Sequence, residues 1–154
     1  MAMASDRPPR WALRALDGLQ YGLALTATVA VGTVVVTYLV ALVSGGPGAL
    51  AAVNPVIAVQ LVLFFGGFAA MAFGALKLRP EAPYKENSRF ALSLPDSGSN
   101  EGGGFVDGVA ALPPLGWYDP SAAERLSGGG RLLVASGSML VTSFLLEVVA
   151  LALL

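Results

Sequence analysis

From Gly18 to Leu76 the chain contains not one Asp, Glu, Lys or Arg, and from Leu132 to Leu154 the only one is Glu147. A soluble fold needs charge on its surface every few residues, so these runs decide the setting. About 20 consecutive apolar residues suffice to cross a bilayer's hydrocarbon layer. Charged residues make up 12% of the 154 positions, against roughly 25% in an average soluble domain. The sequence therefore reads as an all-α membrane protein with three transmembrane helices.

The first span runs from Leu19 to Val43 and stops at Ser44-Gly45-Gly46-Pro47-Gly48, a run of turn formers. Asn54-Pro55 has the pattern of a helix cap followed by a first-turn proline, which opens a second span over Pro55–Leu76. The third follows Gly128-Gly129-Gly130-Arg131 and occupies 132–154. Residues 1–18 precede the first span, 44–54 form the short turn, and 77–131 form the long connection. Arg7, Arg10 and Arg14 would suit the basic start of a signal peptide, but the apolar run that follows far exceeds the usual ~7–15 residues. The first span is therefore expected to remain as a helix.

Orientation follows from the basic residues. Arg7, Arg10 and Arg14 come before the first span; Lys77, Arg79, Lys85, Arg89, Arg125 and Arg131 lie between the second and third. Three alternating crossings place all nine on one side, and the positive-inside rule makes that side the cytoplasm. The N-terminus is expected inside and the C-terminus outside.

The connection is rich in Gly and Pro, and Ser97-Gly98-Ser99-Asn100-Glu101-Gly102-Gly103-Gly104 reads as flexible linker. No Lys-Ser or Lys-Thr follows these glycines, so a phosphate-binding loop is excluded. Phe105–Tyr118 mixes apolar and aromatic residues around Pro113-Pro114. It suits either the headgroup layer or packing against the helix ends. Asp119-Pro120 and a Ser121-x-x-Glu124 capping pattern predict a short helix over 120–127.

Two features inside the spans bear on function. Gly66, Ala70 and Gly74 form a small-residue stripe in the second span, with Gly67 beside it, and Ser138 and Thr142 repeat the spacing in the third. Small residues allow helices to approach in lipid, either within one chain or between copies. Glu147 is the one ionisable group inside a span, which makes it a candidate functional residue. Helical rise puts Tyr38, Gln60, Ser143 and Glu147 near one level, with Thr37 next to Tyr38. They are the candidate intramembrane polar cluster; the alternative is a Glu147 that only reaches interfacial water.

The start Arg7-Pro8-Pro9-Arg10, the run Pro-Pro-Leu-Gly-Trp-Tyr-Asp-Pro at 113–120, and Glu124-Arg125-Leu126 ahead of the helix with Glu147 are distinctive in combination. Together they resemble a family of small multi-pass membrane proteins from haloarchaea that carries a domain of unknown function. The resemblance implies no activity and no catalytic residues. Over 78–130 acids outnumber bases seven to four, which suits a salt-rich cytoplasm.

Cys and His are both absent, which excludes disulfides, thiolate zinc sites, histidine-bound haem and Ser-His or Cys-His nucleophile pairs. A net charge of -1 offers no footprint for nucleic acid. Neither metal nor cofactor is expected, and no constellation suggests an enzyme. The expected role is a non-enzymatic accessory or structural subunit whose surroundings are the bilayer and either a second copy or another membrane protein. The alternative is a small transporter or channel component built around Glu147.

Overall fold

In a computed structural model, residues 7–78 and 103–152 are described. They form four helices: α1 (Arg10–Ala49), α2 (Pro55–Leu78), α3 (Gly103–Ala110) and α4 (Gly128–Ala152). Two single 3-10 turns, Leu115–Trp117 and Ala122–Glu124, lie between α3 and α4. There is no strand among the described residues. Helices α1, α2 and α4 are each long and apolar enough to cross a membrane. Arg79, Lys85, Arg89 and the linker positions up to Gly102 lie outside the described residues, as do Leu153 and Leu154.

Helix α1 is longer than the apolar run it contains. It begins directly after Pro9, nine residues ahead of Leu19, so much of the expected leading segment is helical. Ala, Leu and Arg dominate Arg10–Leu16, and all three have high helix propensity. At about 1.5 Å per residue the stretch from Arg10 to the break at Gly46 spans about 54 Å, well over a hydrocarbon core of about 30 Å. The basic end of the bundle therefore carries a helical mast. At the other end, the turn end, helical geometry breaks at Gly46 (φ 69°, ψ -170°), a conformation that a Cβ would oppose. Pro47 follows, and the Leu50 N–H closes the turn onto the Pro47 carbonyl.

Helices α2 and α4 run antiparallel and meet through small residues spaced by seven. A Cβ on Gly74 would lie 3.1 Å from the Gly129 carbonyl, and one on Gly67 would lie 3.3 Å from the Ser136 carbonyl. Seven residues further, the Ser143 hydroxyl donates to the Gln60 carbonyl at 3.0 Å. A seven-residue repeat keeps two gently supercoiled helices in register, whereas a four-residue repeat drifts around the surface. Val59, Leu63 and Met139 fill the seam, with Leu25, Val29 and Val34 of α1 laid over them. Helix α1 approaches α4 at Gly22, where a Cβ would lie 3.2 Å from the Ala135 Cα. One turn on, the Thr26 and Ser138 hydroxyls are 2.8 Å apart.

The connection corrects the expectation at two places. Gly103 and Gly104 are the first turn of α3 and not part of a linker. The helix expected over 120–127 is only the turn Ala122–Glu124, after which Arg125 is extended (φ -86°, ψ 152°). Continuation fails because the Leu126 N–H is taken by a side chain of α1 rather than by a helical carbonyl. The Phe105–Tyr118 piece packs against α1: Leu13, Ala110 and Leu115 form a second small core, flanked by Leu16 and Tyr118.

Candidate functional site

The strongest polar constellation lies at the basic end, on a residue the sequence reading passed over. Asp17 is 3% exposed, one residue before the charge-free run. Its Oδ2 accepts the Leu126 N–H at 2.8 Å and the Arg131 Nε at 2.9 Å, and its Oδ1 accepts Arg131 Nη2 at 3.0 Å. This is a forked, two-bond guanidinium–carboxylate pair, the strong class of charge-assisted hydrogen bond. The guanidinium also lies over the Tyr21 ring, 5.9 Å from its centroid.

Gln20, one turn nearer the apolar run, completes the attachment. Its amide nitrogen donates to the carbonyls of Val109 (2.6 Å) and Leu112 (2.8 Å). Its oxygen accepts the Leu115 N–H at 3.4 Å. Arg14 donates to the Ala123 carbonyl and Arg7 to that of Tyr118. One face of the mast thus binds the 103–131 segment through its backbone: the N–H groups of Leu115 and Leu126 and the carbonyls of Val109, Leu112, Tyr118 and Ala123. Arg125 and Asp107 add an exposed ion pair at 3.8 Å, which contributes little.

The sequence held a signal for Asp17. The first and third spans run in the same direction, and Asp17 and Arg131 are the last charges before each. Two charges that share a level on neighbouring parallel helices have to meet or be separated. Opposite sign allows them to meet.

At the turn end the expected cluster is only partly assembled. Ser143 is buried and reaches the Gln60 backbone, which puts those two residues together. Extending the α2–α4 register by one turn sets Glu147 opposite Val56, near the start of α2, and its side chain is exposed. Tyr38 is 38% exposed, and Thr37 donates to the Thr33 carbonyl of its own helix. Among the described residues no hydrogen bond joins Tyr38 or Glu147 to Gln60 or Ser143. Of the four, only Ser143 and Gln60 are brought together.

The stripe residues divide in the same way. Gly74 is a contact, whereas a Cβ on Gly66 would meet nothing within 4 Å and Gly67 takes its expected place. Ala70 and Thr142 are half-buried, and Ser138 meets Thr26 on α1. The reason is the period: 60, 67 and 74 face α4, and a step of four from 74 rotates off that line.

Chemically, most hydroxyls in the spans are already used; those of Tyr38 and Thr142 have no hydrogen bond among the described residues. Thr26, Thr28, Thr33 and Thr37 donate to carbonyls four residues back, and Ser136 and Ser138 to carbonyls three back. Among the described residues no group of three or more acids could hold a metal ion. In the connection, Glu124 accepts the Ser121 N–H (2.9 Å) and hydroxyl (3.0 Å). Those bonds, the backbone one first, hold its carboxyl below the usual range, with Arg7 and Arg10 adding to the effect.

No curated protein and no solved structure matches the chain. A family model does match, described as a family of unknown function (DUF7555), over residues 8–150.

Proposed function

The chain belongs to that family, and since the family brings no activity with it, we propose from the geometry that the protein is a non-enzymatic accessory subunit in a cell membrane. Its task is to hold the 103–131 segment as a fixed knob for another membrane component. In this reading the nine basic residues set the orientation, with the knob and N-terminus cytoplasmic and the C-terminus external. The acid surplus of the connection supports a haloarchaeal origin.

One observation carries the proposal: Asp17 bonds a connection residue and a residue of α4 with the same carboxylate. A connection needed only as a tether gains nothing from such attachment. Here the clamp fixes a surface on which Trp117 is 75% exposed, and large exposed aromatics are typical anchors of protein interfaces. The transporter alternative draws its support from the Ser143–Gln60 contact, but Ser143, Thr26 and Ser138 already donate to helix carbonyls and form no chain of hydroxyls to Glu147.

The test is photocrosslinking from position 117 with the full chain in its native membrane. A discrete adduct is expected, and Gln20→Leu should weaken it without changing membrane insertion. No adduct from the knob, or a Glu147-dependent flux by the purified chain alone in liposomes, would overturn the reading.

A further inference from the structure

Glu147 sits on an exposed side of α4 with no hydrogen bond or ion pair among the described residues. Beyond it α4 continues through exposed Val148, Val149 and Leu151, and α1 presents exposed Leu39 and Val43 in its last turns. Five further residues to Ala152 amount to about 7–8 Å of apolar helix. Moreover, a helical Cα–Cβ bond tilts toward the helix N-terminus, so the Glu147 side chain starts back into the apolar belt. On antiparallel α2 the same rule tilts Gln60 toward the turn end. The carboxyl and the amide therefore lean toward one level of the α2–α4 flank, and the Gln60 amide has no hydrogen bond among the described residues.

A carboxyl at such a depth is normally matched by a partner group. Among the described residues no cation lies near it. Every Lys and Arg lies before Gly18 or between Leu76 and Leu132. Arg131 is 16 residues from Glu147 along α4, about 24 Å. A second copy inserted the same way would carry its cations at the same far end.

We propose that the α2–α4 flank at the turn end docks a transmembrane helix of a different membrane protein, one that presents a Lys or Arg in that leaflet to Glu147, with Gln60 as the adjoining polar contact. This rests on the accessory-subunit reading and specifies the chemistry of the partner.

The probe is a synthetic Leu-rich transmembrane helix with one Lys about 8 Å from one end of its apolar stretch. It is co-reconstituted with the full chain in phosphatidylcholine vesicles, and association is read by energy transfer. The Lys helix is expected to associate about ten-fold more tightly than its all-Leu counterpart. Glu147→Gln should remove most of that difference with insertion unchanged, as should moving the Lys to the opposite leaflet. Equal association of the Lys and all-Leu helices would overturn the proposal. So would Glu147-dependent self-association without the probe, which would make a second copy the occupant. Failure here with the position-117 adduct intact leaves the accessory reading standing; loss of that adduct with Lys-helix binding intact removes the knob reading alone.

Discussion

Replacing Asp17 by Asn removes one charge and almost no volume, which leaves the Arg131 guanidinium 13% exposed and facing an amide. The pair's closest approach is 2.9 Å, and at an effective dielectric of about 20 the attraction at that distance is roughly 6 kcal/mol. Desolvation of two ions consumes much of it, and breaking one side of a buried pair costs about 3–5 kcal/mol. Because the Asn oxygen can still accept the Leu126 N–H, the lower end applies, about 3 kcal/mol, or more than a hundred-fold in the folding equilibrium. The assay is reversible unfolding in mixed micelles by increasing the denaturing detergent, with helicity followed by circular dichroism. A double substitution, Asp17→Leu with Arg131→Met, removes both charges and should recover to within about 1–2 kcal/mol of the parent. A loss below about 0.5 kcal/mol for Asp17→Asn, or strict additivity of the two single changes, would refute the argument.

The seven-residue seam predicts a contrast between adjacent glycines: Gly67→Val should destabilise by about 2–3 kcal/mol, because its Cβ starts 2.9 Å from Leu140 and 3.3 Å from a carbonyl. Gly66→Val should stay within about 0.5 kcal/mol in the same unfolding titration. The Glu124 carboxyl, held below its ordinary value, stabilises its turn at pH values above the usual carboxylate range, and that contribution disappears as pH falls through the lowered folded-state value. Carboxyl NMR should show Glu124 titrating below an ordinary Glu, and the Ser121 amide should lose hydrogen-exchange protection as pH falls through the same interval. An ordinary titration would contradict the bonds from Ser121.

The spans were legible because lipid imposes a one-dimensional rule. An uncharged run of sufficient length has few alternatives, and helical geometry in α1 breaks at Gly46, inside the turn formers of 44–48. The period of the small residues was harder. Gly66, Ala70 and Gly74 and the Gly67–Gly74 pair coexist in one helix, and only the opposing Gly129, Ser136 and Ser143 tell which line is used. A contact pattern belongs to two helices at once, so one helix read alone underdetermines it. The connection was illegible for a related reason. Its order comes from Asp17 and Gln20, side chains about ninety or more positions away: Asp17 takes the Leu126 N–H, and Gln20 adds bonds to carbonyls that also close turns within the connection.

These attachments grade the bundle along its length. At the basic end three elements share one carboxylate; in the middle, glycines and serines bring backbones into contact; at the turn end Ser143 makes a last bond and Glu147 leaves the seam. A chain under selection only to close on itself would bury its costliest group and leave apolar ones outside. Here the buried acid, Asp17, is the one with a matching Arg, and Glu147, exposed in α4, has no cation near it among the described residues. The same physical rule, that a charge removed from water requires a counter-charge, thus accounts for a closed pair at one end and implies an open half-pair at the other. The proposed accessory role would use this asymmetry: one end fixed enough to stand alone, the other open to a partner.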